Sequence, residues 1–188
     1  QQPRDVGVHR GQDGQHAVVT GAHLGHQPIG DLFLQHQDRV AQADFVIEAV
    51  PEVPDIKTQV YREMARLLAP HTLIATNSST LLARDFADAT GRPAKFCALH
   101  FANLIWALNL AEVMAHAGTA RETLTAVTEF AIEIGMVPIP VQKEQNGYVL
   151  NSWFVPLLTA GMALVVNGVG TPEDVDRTFM IASRGCAM

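Results

Sequence analysis

Three groups of polar residues in this 188-residue chain lie at the carboxyl ends of predicted strands. The first is segment 48–52, Glu-Ala-Val-Pro-Glu, and Lys57 follows it one turn into the next predicted helix. The second is segment 76–80, Thr-Asn-Ser-Ser-Thr, and the third is segment 100–103, His-Phe-Ala-Asn. Ligands of open α/β sheets bind outside the carboxyl ends of the strands, so all three groups are candidate site residues.

The first two groups also have simpler interpretations. A carboxylate and a lysine at a strand end are commonly solvated surface residues. Small hydroxyl and amide side chains can bond a ligand, but they also form ordinary turns and helix caps. Taken alone, segments 48–52 and 76–80 favour the simpler interpretations.

The third group contains a candidate general base, His100, and Glu112 follows it twelve positions later. A carboxylate that reaches one ring nitrogen of a histidine fixes the tautomer and stabilises the imidazolium. The spacing does not itself establish contact, and a lone histidine on a strand is more often packed than catalytic. The pair therefore predicts general-base chemistry on the condition that the two side chains meet.

A fourth group, segment 146–151, Asn-Gly-Tyr-Val-Leu-Asn, leads into a long predicted helix. Glycine permits tight backbone geometry at such a junction. Asn151 lies one helical turn after Gly147, which would let it point back toward the sheet. The alternative is a helix-start asparagine without a role.

From Ala43 onward, predicted strands alternate with predicted helices. This alternation predicts an α/β sheet of parallel strands joined by crossovers. Two final helices without an intervening strand predict the start of a helical domain. The predicted strands are 45–50, 72–76, 96–101 and 138–141. The predicted helices are 54–68, 82–90, one from a Thr119/Glu122 capping box to Gly135, 148–167, and one from Thr171 to about 182.

The composition excludes several classes of protein. With 48% hydrophobic and 17% charged residues the chain can form a core, and a net charge of −6 argues against a nucleic-acid-binding face. The longest apolar segment, Trp153–Val166, is broken by Pro156 and Gly161 and is too short to span a membrane. Two distant cysteines indicate neither a disulfide framework nor a zinc site. We expect a soluble cytoplasmic protein.

Residues 1–42 differ from the rest, because they hold eight of the eleven glutamines and five of the eight histidines. Ala17–Thr20 is a candidate strand, and Gly21-Ala22-His23-Leu24-Gly25 after it only weakly resembles a phosphate-binding loop. We expect a shifted reading frame or a misjoined gene start over residues 1 to about 38. A genuine, divergent segment is the alternative.

From about Val40 to Arg184 the chain resembles the L-specific, NAD-dependent 3-hydroxyacyl-CoA dehydrogenase family. The resemblance rests on the order and spacing of several motifs, each of them weak alone. In chain order these are segment 43–52, Lys57, Thr76-Asn77-Ser78-Ser79, His100-Phe101-Ala102-Asn103, Glu112-Val113, Gly147-Tyr148-Val149-Leu150-Asn151 and segment 168–176.

The resemblance implies an α/β fold with a partial Rossmann-like parallel sheet, followed by the start of an all-α C-terminal domain. It divides the chain into an atypical segment 1–40, a partial NAD-binding domain 41–143 and a helical domain 144–188, which we expect to continue beyond Met188. It implies the oxidation of a (3S)-3-hydroxyacyl-CoA to the 3-ketoacyl-CoA in fatty-acid β-oxidation. The implied partners are NAD, an acyl-CoA substrate and a second copy bound through the C-terminal helices, without nucleic acid or membrane.

The resemblance also assigns roles to individual residues. His100 matches the catalytic base and Glu112 the carboxylate that orients it, while Ser79 and Asn151 match polar residues that contact the reacting hydroxyl or the thioester. The residues that match the NAD site are Ala49, Val50, Glu52, Lys57 and Asn77.

The chain departs from the family pattern at two motifs and at its start. Leu104 stands where a proline usually follows Asn103, and Asn146-Gly147-Tyr148 stands where Pro-Gly-Phe is frequent, which predicts a reshaped substrate pocket. Because the glycine fingerprint is missing, we expect weak or undetectable NAD binding. The alternatives are a related gulonate-type sugar-acid dehydrogenase and a non-catalytic remnant of the family.

Overall fold

The computed structural model describes residues 6–10, 15–20, 41–105 and 107–183. The chain divides into two compact units, Gln1–Tyr148 and Val149–Met188. The first unit contains a sheet whose described strands number seven and lie side by side in sequence order. They are β1 (Val6–Arg10), β2 (Gln15–Thr20), β3 (Phe45–Ala49), β4 (Leu73–Thr76), β5 (Phe96–Phe101), β6 (Leu110–Met114) and β7 (Val137–Val141).

The sheet confirms the predicted α/β fold class. Strands β2 to β5 are mutually parallel, and β6 and β7 form a further parallel pair. The predicted strand Ala17–Thr20 lies within β2, while β1, which pairs antiparallel with it, was not predicted. The glycine-containing segment Gly21–Gly25 lies outside the described residues, so its weak resemblance to a phosphate-binding loop stays a prediction.

Strand β6 corrects the expectation that consecutive strands run parallel. It follows β5 through the short connection 102–109 and returns antiparallel to it, with His100 opposite Glu112 in the register. The signal was present in the sequence, because Leu110–Met114 is an apolar run with one carboxylate, like Phe45–Ala49 in β3. Antiparallel strands need no helical crossover between them.

Helix α1 (Pro54–Leu67) begins with proline in its first turn, as predicted. Its buried residues follow the spacing of one helical face, and they include a lysine. They are Lys57, Val60, Tyr61 and Met64. At the other end, the guanidinium of Arg92 donates hydrogen bonds to the carbonyls of Leu68, at 3.0 Å, and Ala69, which satisfies carbonyls just beyond the last turn.

The helix predicted over 82–90 is wrong as an α-helix. The chain forms two short 3₁₀ turns there, Ala83–Asp85 and Asp88–Thr90. The hydroxyl of Thr90 donates to the carbonyl of Ala87 at 2.6 Å. Such local side-chain bonds compete with helical ones, and short segments with i→i+3 bonds take the 3₁₀ form.

Helix α2 (Arg121–Glu133) lacks the predicted capping box. Its N-cap is Ala120, without a side-chain cap. Thr119 instead donates from its hydroxyl to the carbonyl of Phe96 at 2.8 Å and accepts from the amide of His116 at 3.0 Å. The Thr119 hydroxyl therefore makes tertiary hydrogen bonds and does not cap the helix. The predicted stop is confirmed, because Gly135 follows the helix with φ +83°.

Two apolar clusters cover the two faces of the sheet at strands β3 to β6. One joins α1 to alternate strand residues such as Val46 and Ile74, and the other joins α2 to the intervening ones such as Phe45 and Ile47. Successive side chains of a strand point to opposite faces, which explains the continuous apolar sequence of β3. With both faces covered, polar ligands have access at the strand ends.

The second unit consists of helices α3 (Leu150–Val166) and α4 (Pro172–Ala182), close to the predicted bounds. Thr171 caps α4 in a capping box with Asp174. Neither helix has a fully buried residue. In the part of the chain that the structure describes, no helix has the length and apolar character needed to cross a membrane.

Candidate active site

A cavity of about 250 Å³ lies at the carboxyl ends of β3 and β4. Its lining contains five of the predicted site residues together with Pro51. They are Ala49, Val50, Glu52 and Asn77, matched to the NAD site, and Ser79, matched to substrate contact. The structure thus brings together residues that are up to thirty positions apart, on the edge of the sheet where the sequence placed them.

His100 and Glu112 meet across the antiparallel pair β5/β6. The His100 Nδ1 atom lies 2.9 Å from the Glu112 Oε2 atom. The two residues are only 4% and 1% exposed. An ionised carboxylate only accepts hydrogen bonds, so Nδ1 carries the hydrogen and Nε2 is the nitrogen available to take a proton. The condition set for general-base chemistry is therefore met in the geometry.

Asn77 connects the ends of β4 and β5. Its Oδ1 atom accepts a hydrogen bond from the backbone amide of Phe101 at 2.9 Å, directly after His100. The backbone amide of Asn77 donates to the carbonyl of Glu48 at 2.8 Å. The side chain therefore fixes the backbone next to the histidine and at the same time lines the cavity.

The strand-end carboxylate of Glu48 and the ammonium of Lys57 are not solvated, so the simpler interpretation is wrong for these two residues. The side chains of Glu48 and Lys57 are 0% exposed and form an ion pair of 2.8 Å. The Glu48 carboxylate also accepts from the hydroxyls of Tyr61 and Thr76, the latter at 2.9 Å. A buried charge is tolerated only when it is paired and hydrogen-bonded, and this one is both.

The ion pair also holds one wall of the cavity. Glu48 Oε1 accepts from the backbone amide of Val50 at 2.6 Å, and Lys57 Nζ donates to the carbonyl of Val50 at 3.3 Å. A direct contact of Lys57 with NAD stays a prediction, but the contacts favour a supporting role. Sequence reasoning missed this network, although Lys57 precedes Val60, Tyr61 and Met64 by three, four and seven positions, the spacing of a buried stripe.

Glu52 organises the loop after β4. Its carboxylate accepts from the hydroxyl of Ser78 at 2.7 Å, from the hydroxyl of Thr80 at 3.0 Å and from the amide of Ser79 at 3.2 Å. Burial alone would raise its pKa, but the hydrogen bond from Ser78, the charge of Lys57 and the bonds from Thr80 and Ser79 together lower the pKa of Glu52 below its ordinary value of 4.5. Segment 76–80 is thus both a turn and part of the cavity.

The lowered pKa of Glu52 predicts a pH dependence of stability. Its contribution is fully present above the unfolded value of 4.5 and is lost as the pH falls through the lower folded value. We expect the urea midpoint of the wild type to fall more steeply below pH 4.5 than that of Glu52→Gln. Midpoints measured across this range check the prediction, and parallel profiles for the two proteins would contradict it.

Asn151 lies in the first turn of α3, within the second unit. It is half-buried. Its predicted contact with the substrate stays a prediction.

The fold and the cavity define an α/β protein with a candidate ligand site at the carboxyl ends of parallel strands. The family model of the 3-hydroxyacyl-CoA dehydrogenase NAD binding domain matches residues 30–145. The chain belongs to this family. The predicted family and its cofactor class are confirmed by this match, which begins ten residues before the predicted start of the resemblance at Val40.

Curated relatives agree with the family match. The chain is 33% identical over 136 residues to a probable 3-hydroxybutyryl-CoA dehydrogenase of Deinococcus radiodurans, covering 72% of this chain and 49% of the relative. It is 31% identical over 147 residues to a protein of the same description from Bacillus subtilis, covering 78% and 51%. The chain thus spans about half the length of the curated relatives it matches.

Solved structures show the same fold. The chain is 50% identical to a diketoreductase described in the dual catalysis of dicarbonyl compounds, with a TM-score of 0.75 and coverage of 79% of this chain and 53% of the other. It is 26% identical to (S)-3-hydroxybutyryl-CoA dehydrogenase from Ralstonia eutropha, with a TM-score of 0.73 and coverage of 79% and 52%.

Proposed function

We propose that this protein is an NAD-dependent dehydrogenase that oxidises the 3-hydroxyl of a (3S)-3-hydroxyacyl-CoA to the 3-ketone. The observation that carries the proposal is the buried His100–Glu112 pair at 2.9 Å. His100 lies on β5 and Glu112 on β6. Strand β5 is adjacent to β4, and the cavity lies at the end of β4. The family match to an NAD binding domain supports the cofactor.

In the proposed reaction His100 Nε2 takes the proton of the 3-hydroxyl as hydride leaves C3. Glu112, bound to Nδ1, stabilises the imidazolium that forms. Ser79, in the cavity lining, and Asn151 are the proposed contacts to the substrate oxygen or the thioester. In this proposal His100 and Glu112 handle the proton of the alcohol, and Ser79 and Asn151 hold the substrate.

The cavity fits part of a dinucleotide. At about 250 Å³ it is smaller than the roughly 300–1,000 Å³ of typical ligand pockets. The backbone of Ala49 and Val50 and the side chains of Glu52 and Asn77 would hold the cofactor. Bound NAD would supply the hydride acceptor. We expect weak binding of NAD because the glycine fingerprint is missing from the start of the sequence, and the segment Gly21–Gly25 lies outside the described residues. An assay therefore needs NAD in large excess.

A second candidate function is the reduction of a dicarbonyl compound. The observation that favours it is the 50% identity to a diketoreductase, against 33% to the relative from Deinococcus radiodurans. The chemistry is the same proton and hydride transfer in the reverse direction. The departure at Leu104, which is 52% exposed and has φ +59°, supports an altered substrate site.

The substrate experiment compares three reactions under saturating cofactor. We expect NADH-dependent reduction of acetoacetyl-CoA to exceed both the reduction of a CoA-free diketo ester and the NAD-dependent oxidation of gulonate. The change in NADH absorbance measures all three. A faster diketo ester reaction would replace the acyl-CoA proposal by the second candidate, and a faster gulonate reaction would indicate a sugar-acid dehydrogenase.

The remaining sequence predictions belong to the same proposal. The division at about residues 40 and 143 is supported by the separate helical unit from Val149. Dimerisation through α3 and α4 is supported by their exposed apolar side chains, such as Val166 at 85% and Met180 at 68% exposure. A cytoplasmic location is supported by the bacterial relatives.

A further inference from the structure

The aromatic ring of Tyr148 stacks on the imidazole of His100. The ring centroids lie 4.8 Å apart with an angle of 28° between the planes. Tyr148 is fully buried. Glu112 contacts the edge of the imidazole at Nδ1, so the histidine is held at one edge by a carboxylate and on one face by an aromatic ring.

The backbone at Tyr148 adopts a conformation that side chains rarely take. Gly147 and Tyr148 both lie in the left-handed region, with φ +77° and +55°. Glycine adopts this conformation without cost, but for a bulky residue it is an outlier. Such strain persists only where the surrounding structure over-determines it, and it concentrates at functional sites.

The loop before Tyr148 is anchored on two sides, to the loop after β4 and to strand β6. Asn146 Nδ2 donates to the carbonyl of Thr80 at 2.9 Å, next to the cavity-lining Ser79. The backbone amide of Gln145 lies 3.4 Å from Met114 Sδ at the end of β6. The loop thus bridges the cavity loop and the strand that holds Glu112, and this places the tyrosine ring over the histidine.

Tyr148 keeps its neutral form in this position. Burial, and after it the carboxylates of Glu52 and Glu112, raise the pKa of Tyr148 well above its ordinary value. A neutral phenol ring presents the negative face of its π system to the imidazole, which attracts a cation within about 6 Å. The stacked ring therefore presents an uncharged aromatic face to the imidazole of His100.

We propose that Tyr148 is a positioning residue for His100, which fixes the plane of the imidazole so that Nδ1 stays on Glu112 and Nε2 faces the reacting hydroxyl. A single hydrogen bond at Nδ1 leaves the ring free to turn about that contact, and stacking removes this freedom. The inference rests on the proposed function only for its kinetic part, because the orientation of His100 is measurable without substrate.

The experiment compares Tyr148→Phe, which keeps the ring, with Tyr148→Leu, which removes it. We expect Phe to keep kcat within about threefold, and Leu to lower kcat about 10- to 100-fold while KM changes little. Tyr148→Met serves the same purpose if the leucine variant does not fold, because its flexible side chain fills the space without a ring.

The second readout is the proton NMR signal of His100 Nδ1–H in ¹⁵N-histidine-labelled protein. We expect a sharp low-field signal in the wild type and in Tyr148→Phe, and a broadened or lost signal in the variant without the ring. An unchanged signal and unchanged kcat in that variant would overturn the proposal. If the signal responds as expected but no variant or wild type oxidises the substrate, the proposed function fails and the positioning role stands.

Discussion

Replacing His100 by glutamine lowers kcat for oxidation of (3S)-3-hydroxybutyryl-CoA by about 10²- to 10⁴-fold. Glutamine is similar in size and can still donate a hydrogen bond to Glu112, which lies 2.9 Å from His100 Nδ1. An amide does not accept a proton at neutral pH, so the variant removes the base while it preserves the contact. Initial rates of NADH formation at saturating NAD measure the effect.

The matched control is His71→Gln. His71 is the same residue type, but its side chain is 63% exposed and pairs with the surface carboxylate of Asp44 at 3.1 Å. Surface substitutions of this kind have small effects, so we expect kcat within about twofold of the wild type. An equal loss of activity in both variants, or an unchanged rate in His100→Gln, would remove His100 from the role of base.

Replacing Lys57 by methionine destabilises the fold by about 3–5 kcal/mol. The substitution leaves the carboxylate of Glu48, 0% exposed, without its partner at 2.8 Å. The Tyr61 and Thr76 hydroxyls still donate to Glu48, but they bring no compensating charge. The free energy of unfolding from urea titrations measures the effect.

The double variant Glu48→Gln/Lys57→Met separates the lost charge from the lost packing. It removes both charges, and the hydroxyls of Tyr61 and Thr76 can reverse to accept from the glutamine amide. We expect it to recover stability to within about 1–2 kcal/mol of the wild type. A double variant as unstable as Lys57→Met would show that the charge pairing is not the cause.

Arg66→Met is the control for removing a cation from α1. Arg66 pairs with Glu63 at 2.9 Å on the surface, and its side chain is 71% exposed. Exposed pairs contribute only about 0–1 kcal/mol. If Arg66→Met loses as much free energy of unfolding as Lys57→Met, the cause is a lower helix propensity and not the broken buried ion pair.

The elements with local sequence signals were predictable. Pro54 marks the start of α1 and Gly135 the end of α2, and the apolar runs of β3 and β5 are buried on both faces. Strand β6 was missed because the expected alternation of strands and helices left no place for it. The Thr119 capping box failed because its hydroxyl bonds the carbonyl of Phe96, a contact that local spacing does not encode.

The sequence predicted which residues belong to the candidate site, but not how they contact each other. The resemblance selected His100 and Glu112, but only the antiparallel register places them opposite each other. The burial of Lys57 depends on Glu48 from another element. Tyr148 was noted as a departure from the family pattern, yet its stacking on His100 joins a loop to a strand nearly fifty positions away.

The measurement that tests the central claim most directly is NADH formation by this chain with separate enantiomers of 3-hydroxybutyryl-CoA. With NAD in large excess, we predict NADH formation with the (3S) enantiomer, little with the (3R) enantiomer, and loss of the (3S) reaction in His100→Gln. No NADH formation by the wild type at any NAD concentration, or equal rates for the wild type and His100→Gln, would contradict the account.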